Sequence, residues 1–433
     1  MLQKISQIGF TVAFIMFSAV STVMAAGSGA FRIFAIDSEA AGKGHAFTGE
    51  ADNPSAVFFN PAGLTQLKGS THFSIDGSAI QPITSHTSPS GDKAQMQRET
   101  FLLPAIFAVS DFGLDHVVFG FGTTSNWGLS STWNKDSFSA YSATNSELEN
   151  VDNTLTASYQ FNEHFSLGAG VIYDISKFSQ EKQINQLPGS DANAQLKGQD
   201  EAVGYTLSTL YKFNEHHQVG LIYRSPIELH YKGTATADRL NDAGTLPYMT
   251  IFGGASYSTA FEADLKLPQS VAVGYSLTPN DKWRFNVDVE WMDWSSIERE
   301  HVDFPDESDP TRLSILDALT ASDHDWKSVF SYSFGGEYQW SEKLVLRAGG
   351  FYDQSPIPKT TFESSVPASN MYGPSLGAGY QVTSNSTVDL AWSGLFYSDA
   401  KIDNTFGNAL GANLDGTYKN MVNIVLVTFG HKF

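Results

Sequence analysis

Positions 283–291 alternate strictly between oily and polar. Trp283, Phe285, Val287, Val289 and Trp291 share one parity, and Arg284, Asn286, Asp288 and Glu290 share the other. Successive side chains of a strand point to opposite faces, so this stretch predicts a sheet with one greasy side and one charged side. At ~3.4 Å per residue and a tilt of ~40°, the two indoles stand roughly 20 Å apart along a barrel axis. That approaches the ~25 Å apolar band, girdled by aromatics, of an outer-membrane barrel. A half-buried strand of a soluble sandwich carries the same pattern, and the rest of the chain decides between them.

The alternation recurs after residue 70, for example at 151–161, 165–175, 203–213, 330–340, 344–352, 372–382, 388–396 and 418–433. All candidates together number about fourteen, an even count as in bacterial barrels. Connections alternate in length. The short ones, at 111–115, 162–164, 214–216, 278–281, 341–343 and 383–386, include the Asn, Asp, Gly and Pro that turns need. The long ones fall near 83–99, 130–146, 181–200, 233–258, 298–325, 357–370 and 399–417. Short periplasmic turns opposite long outer loops predict an all-β transmembrane barrel of antiparallel strands over 69–433. Both faces of 421–427 are apolar, which places the inner face of the last strand against an apolar lumen or plug. Phe433 closes that strand, with Phe429, Val427 and Val425 on one face. A terminal aromatic of this kind resembles the signal that outer-membrane assembly machinery reads.

The N-terminus reads as an export signal over 1–25. Lys4 supplies the positive charge, 8–20 is apolar and uncharged, and Val23, Met24 and Ala25 suit a cleavage site. The apolar run is shorter than the ~20 residues of a spanning helix. Residues 26–68 do not alternate like strands. Asn53 suits an N-cap and Pro54 the first helical position. The turn is expected to stop before Pro61, because the residue preceding a proline avoids helical angles. Asn60, Pro61 and Ala62 then repeat the cap for a second short turn ended by Gly63. The apolar face is Val57, Phe58, Phe59 and Leu64. Such a piece is too small to fold alone, so it is expected inside the barrel as a mainly helical plug.

Composition narrows the function classes. There is no cysteine, which excludes a disulfide framework and every thiol-based site. A net charge of −20 argues against nucleic acid as a partner. No linker or composition shift divides 70–433, so one closed sheet is expected rather than several domains. Gly373, Ser375 and Gly377 match a hydrolase pattern that needs a strand-turn-helix setting, but they sit in a predicted strand. No phosphate loop, dinucleotide fingerprint or metal-ligand spacing is present, and no catalytic residue, cofactor or metal is expected. The acidic loop residues Asp303, Asp306, Glu307 and Asp309 could bind a divalent cation or bridge lipopolysaccharide.

Residues 26–433 resemble the FadL/TodX family of outer-membrane transporters for long-chain fatty acids and other hydrophobic compounds. The resemblance is carried by Asn53-Pro54-Ser55, Asn60-Pro61-Ala62, Thr124-Ser125-Asn126-Trp127-Gly128, Tyr223-Arg224-Ser225, Leu267-Pro268, Trp294-Ser295 and Asp353-Gln354-Ser355-Pro356-Ile357-Pro358. It implies a monomeric fourteen-stranded barrel plugged by an N-terminal hatch. It also implies capture of an amphipath between outer loops, transfer to a deeper pocket, and exit through a gap made by an inward kink of the third strand. The matching kink positions are Ser125, Asn126 and Gly128. Glycine independently suits a bulge there.

The loop containing Leu246, Tyr248, Met249, Ile251 and Phe252 is oily for an outer loop, and exposed apolar patches mark binding surfaces. Its place matches the family's outer groove. The resemblance also puts Lys327 near a ligand head group and Lys177 on a strand that carries basic residues. Ile175 departs from that pattern, which keeps a neutral ligand, such as an aromatic or aliphatic hydrocarbon, as the alternative to a fatty acid. An outer-membrane lipid-acting enzyme, and an adhesin or structural barrel that works through its long loops, are the remaining alternatives.

Overall fold

The computed structural model describes residues 30–297, 299–403 and 413–433; the expected export signal lies outside them. Fourteen antiparallel strands close into one barrel. They are β1 (Thr71–Thr87), β2 (Phe101–Ser110), β3 (Val117–Thr124, resuming as Gly128–Thr132), β4 (Asn145–Gln160), β5 (Phe165–Ile184), β6 (Ala192–Lys212) and β7 (His217–Arg224, resuming as Ile227–Asp238). The wall continues through β8 (Ser256–Leu267, resuming as Ser270–Asn280), β9 (Trp283–Met292), β10 (Val329–Gln339), β11 (Leu344–Asp353), β12 (Met371–Thr383), β13 (Ser386–Tyr397) and β14 (Gly416–Lys432). β14 pairs with β1 from Thr87↔Thr417 to His72↔Lys432, so the sheet has no free edge there. Closure is what a sheet in lipid requires, since hydrocarbon offers nothing to an unpaired strand edge. No described helix is long and apolar enough to cross a membrane.

Parity agrees with the sequence. On β9, Trp283, Phe285, Val287 and Val289 are exposed on the outer face, while Asn286, Asp288 and Glu290 are buried in the lumen. On β14, Val425, Val427 and Phe429 face out, and Val422, Ile424 and Leu426 pack inward against Ile33, Phe34 and Ala35. The doubly apolar final strand therefore does lie against a plug.

Several strands outrun the alternating pattern. β5 continues to Ile184 and β6 begins at Ala192, well beyond the 175 and 203 expected. Above the lipid both faces are polar or covered by loops, so the pattern lapses while the hydrogen-bonded ladder goes on. The outer loops also carry helices α3 (Tyr248–Phe252) and α4 (Pro310–Thr320), after α1 (Ser38–Gly42) and α2 (Ala56–Phe59) in the N-terminal segment.

The segment from residue 30 to 68 fills the lumen. Ala40, Phe47, Ala56 and Leu64 are wholly enclosed. Each large apolar side chain so buried contributes about 1.5–3 kcal/mol. Asn53 accepts from the Ser55 amide at 2.9 Å and from its hydroxyl at 2.6 Å, but the N-cap of α2 is Ser55, with no side-chain cap bond, so the expected cap at Asn53 and first helical position at Pro54 are corrected by two residues: the Asn53 side chain holds a turn that precedes the helix. Asn60 accepts from the Ala62 amide at 3.2 Å, with Pro61 at the first position of a 3-10 helix, Pro61–Leu67. The expected stop at Gly63 is corrected: the helix runs through it. Gly63 is packed so close to the hatch's own backbone that a Cβ would lie 2.2 Å from the Ala51 carbonyl oxygen. Close packing, not termination, explains that glycine.

Candidate functional site

The polar face of β9 is a docking surface for the hatch. Asp288 accepts from the amides of Phe47 and Thr48 at 2.9 and 2.8 Å. Asn286 donates to the Ala46 carbonyl at 2.9 Å. Arg284 pairs with Glu50 and, at 2.7 Å, with Asp52. Glu290 pairs with Arg32 of the hatch and with Arg224 of β7, the latter at 3.5 Å.

Ionic contacts extend around the lumen. Lys43, fully enclosed, meets Glu50 at 2.6 Å, Glu39 at 3.1 Å and Glu337 of β10 at 3.6 Å. Arg347 of β11 meets Glu39, Glu337 and Asp389 at 3.4, 3.2 and 2.5 Å. Burial disfavours the Lys43 ammonium, yet the surrounding carboxylates win and hold it well above the usual lysine range. The wall yields to the hatch at Gly349, where a Cβ would lie 2.3 Å from the Lys43 carbonyl carbon. Asn60, expected only as a cap, also donates to the Thr48 carbonyl at 2.9 Å and to the wall carbonyl of Thr209 at 3.1 Å.

The third strand breaks where the family resemblance places a kink. Thr124 pairs with Asp152 and Gly128 with Glu149, so Ser125, Asn126 and Trp127 face only Asn150 and Val151. Three residues against two is a bulge, and it reverses the inside-outside parity of the rest of the strand. Leu129 accordingly turns into the lumen. The strand bends onto the hatch: the Ile33 amide donates to the Asn126 carbonyl at 2.9 Å, and the Gly128 amide to the Phe31 carbonyl at 2.8 Å. On the other side, β2 pairs with β3 only from Ile106 to Ser110. The edge from Phe101 to Ala105, paired with β1, has no β3 ladder partner, and the wall is interrupted there.

Two cavities with shared lining lie near it, the inner one touching Leu129 just past the break. The outer one, about 510 Å³, is lined by Ile184, Leu196, Leu240, Phe252, Phe304 and Leu319. The inner one, about 200 Å³, is lined by Phe31 of the hatch, Leu129 just past the kink, Leu148, Phe178, Tyr231 and Trp326. Gln180 and Glu363 border both. At the inner floor the rings of Phe31, Trp127, Trp294 and Trp326 interlock, with Phe31–Trp326 at 5.3 Å, Trp294–Trp326 at 5.4 Å and Trp127–Trp294 at 5.7 Å. Hatch, kink and cavity floor thus share one aromatic cluster.

The expected ligand residues divide. Phe252 lines the outer cavity, and Tyr248 and Ile251 pack behind it. Leu246 and Met249 are exposed at the rim. Lys177 is corrected: even-numbered residues of β5 face the lumen, and Lys177 is exposed on the outer face. Ile175 shares that outer parity, so its departure from the family pattern says nothing about the lumen. Lys327 is corrected too. It is exposed, and the residue that enters the cavity is its neighbour Trp326, which is buried. A cation that does border the outer cavity is Lys182, whose ammonium donates to the Leu319 carbonyl. The sequence does not point to it, because 181–200 reads as loop, where no parity applies.

Other motifs serve the architecture. Ser375 lies within β12 and its hydroxyl accepts from the Gly44 amide at 2.9 Å, which holds the hatch. In the acidic loop, Asp309 caps α4 through the amides of Thr311 and Arg312 at 2.8 and 3.1 Å. Glu307 accepts from the Ser308 and Asp309 amides at 2.8 Å each.

Comparison with known proteins agrees with this geometry. The chain is 26% identical over 401 residues to the long-chain fatty acid transport protein of Escherichia coli K12, covering 84% of this chain and 87% of that protein. It is 26% identical over 432 residues to outer membrane protein P1 of Haemophilus influenzae, covering 87% and 88%. In fold it resembles a Pseudomonas aeruginosa FadL homologue, with a TM-score of 0.80, 19% identity and coverage of 93% and 99%. It also resembles the Pseudomonas putida toluene transporter TodX, with a TM-score of 0.70, 17% identity and coverage of 94% and 99%. The model of the outer membrane protein transport protein family (OMPP1/FadL/TodX) matches residues 18–433, and the chain, a hatch-plugged barrel with a broken third strand, is a member of that outer-membrane transporter family.

Proposed function

We propose that the protein passes long-chain fatty acids or related hydrophobic molecules through its wall by unaided diffusion. A ligand settles first in the outer cavity beneath Tyr248–Phe252, then in the inner cavity against Phe31 and Trp326, and leaves beside the broken third strand. The observation that carries this reading is a pair of largely apolar cavities that have Gln180 and Glu363 in common, the inner one lined by Phe31 of the hatch and by Leu129 just past the break. Lys182 suits a carboxylate head group, because it brings a positive charge to the border of a largely apolar cavity, although Glu363 stands at the same border. The relatives named for fatty acid support the acidic ligand, and the one named for toluene supports a neutral hydrocarbon as the second reading. The reading involves no bond-making step, and the protein acts as a channel rather than an enzyme. It acts as a monomer, displays Phe433 to the assembly machinery, and meets lipopolysaccharide at its outer rim.

The test is uptake of labelled oleate and of toluene by cells that depend on this protein. Deleting one residue from 125–127, which equalises the two strands, is expected to cut uptake while the barrel still assembles. Undiminished uptake of both compounds would overturn the reading.

A further inference from the structure

Three lysines gather on the outer face of the wall. Lys177 of β5 lies opposite Gln199 of β6, and Lys232 of β7 lies opposite the same glutamine from the other side. Lys197 of β6 is opposite Ser179 and Thr234, so it neighbours Lys177 and Lys232 diagonally. Diagonal neighbours stand roughly 7–8 Å apart. Lys177 and Lys232 are two strand spacings apart, about 10 Å. All three side chains are exposed. Their flexible stems let the ammoniums of this triangle turn toward one ligand.

Of the three, only Lys232 forms an ion pair among the described residues, with Glu262 at 3.0 Å. Other outer-wall lysines are matched, Lys266 with Glu228 at 2.7 Å and Lys419 with Asp399 at 3.4 Å. The carboxylates beside Lys177 and Lys197 are turned to other groups. Glu201 accepts from the Tyr173 hydroxyl, and Glu147 accepts from the Asn145 amide at 2.8 Å. Glu149, opposite Lys177, is the remaining acidic neighbour and is partly buried. Below the lysines the same strands are oily. Val171 and Tyr173 of β5 and Val203, Tyr205 and Leu207 of β6 are exposed on the outer face. Tyr173 and Tyr205 suit the aromatic girdle at the upper edge of the apolar band. Lys177 lies beyond Tyr173 on the way to the outer loops, roughly 10 Å higher at ~3.4 Å per residue and a tilt of ~40°.

We infer that Lys177, Lys197 and Lys232 bind the phosphorylated head of a lipopolysaccharide molecule whose acyl chains lie along the oily strands beneath. Ammonium groups are compact point charges and serve as phosphate ligands. A free anion would use the lysines alone, whereas an amphiphile uses both the lysines and the apolar surface directly under them. A triangle with a base of about 10 Å, two strand spacings, also suits a head that carries two phosphates on a sugar backbone better than a single phosphate. The inference rests on the reading above only for the lipopolysaccharide contact at the outer rim, to which it gives named residues. It does not depend on what crosses the wall.

The test titrates the purified full chain in detergent with diphosphoryl lipid A, with the same lipid A stripped of its phosphates, with phosphatidylglycerol and with inorganic phosphate, and counts bound molecules by native mass spectrometry. Saturable binding of diphosphoryl lipid A is expected, weakened by added salt because exposed charges are screened. Lys177→Gln and Lys197→Gln should each weaken it about fivefold, the weight of one lysine at an anionic lipid surface. Lys419→Gln, on a strand across the barrel, should leave it unchanged. Binding that is equal for the stripped lipid or for phosphatidylglycerol overturns the inference, as does binding unchanged in the Lys177 and Lys197 variants together. Competition by millimolar inorganic phosphate also overturns it, since the site would then take the free anion. If the variants fail to assemble, the wild-type protein decides through the stripped lipid. Oleate uptake by both variants should equal that of the wild type, so failure of this inference and failure of the transport reading show in different measurements.

Discussion

The Ile33 amide donates to the carbonyl of Asn126 at 2.9 Å, joining the hatch to the wall strand that bends out of the sheet. Both backbones therefore respond to the same displacement. Phe31, adjoining this contact, also lines the inner cavity, so a ligand settling there presses on the hatch and the kink together. Removing one residue from 125–127 should restore a continuous β3–β4 ladder, break the contact with Ile33, and lower uptake of oleate at least ~tenfold, the weight of about one lost hydrogen bond and its packing. Initial uptake rates in cells with matched barrel levels check this.

Lys43 is enclosed among three carboxylates. Lys43→Ala would leave Glu50 and Glu39 short of a partner inside the lumen. Removing one member of a buried pair costs about 3–5 kcal/mol. The variant should unfold at lower temperature and conduct ions in planar bilayers, where the intact hatch blocks them. By contrast, Lys266→Ala breaks an exposed pair with Glu228, 2.7 Å apart, and should change stability by at most about 1 kcal/mol.

Trp326→Phe keeps a ring in the floor of the inner cavity but deletes an indole N–H that, among the described residues, has no acceptor. If the ligand supplies that acceptor, binding of a fatty acid should weaken about tenfold, the weight of one hydrogen bond. Binding of toluene should stay within about twofold. Tryptophan-independent binding assays with both ligands separate the outcomes. Lys327→Ala and Lys177→Ala, both on exposed side chains, should leave both affinities unchanged.

Asp37 gives the hatch a pH dependence. Burial, seconded by the nearby Glu39 carboxylate, pushes its carboxyl up to about 7 from the usual 3.8. A raised carboxyl binds its proton more tightly when folded. Its stabilising contribution is therefore complete below about pH 4 and is lost as pH rises toward 7. Asp37→Asn keeps the N-cap on Ala40 and removes the titration. The stability of the wild type relative to this variant should fall between pH 4 and 7; thermal unfolding across that range would refute the assignment if the difference rose.

The barrel was legible because lipid and lumen impose opposite demands on alternate residues, and that demand is written locally, as at Trp283–Met292. The plug was legible in Asn60 and Pro61, whose cap is local, and the kink in a resemblance around Asn126. What each polar face touches was not. Whether Lys177 points to lumen or exterior depends on a register set by neighbouring strands, and the shift at Ser125–Trp127 reverses parity for every later residue of its strand. Trp326 and Lys327 lie in 324–328, ahead of β10 and outside any strand, so alternation could not say which of them enters the cavity. The meeting of Asn126 with Asp152 and Asp174, like that of Lys43 with Glu337, joins positions far apart in the chain. Strand alternation is a property of successive residues, but charge pairing across a closed sheet belongs to the closure itself.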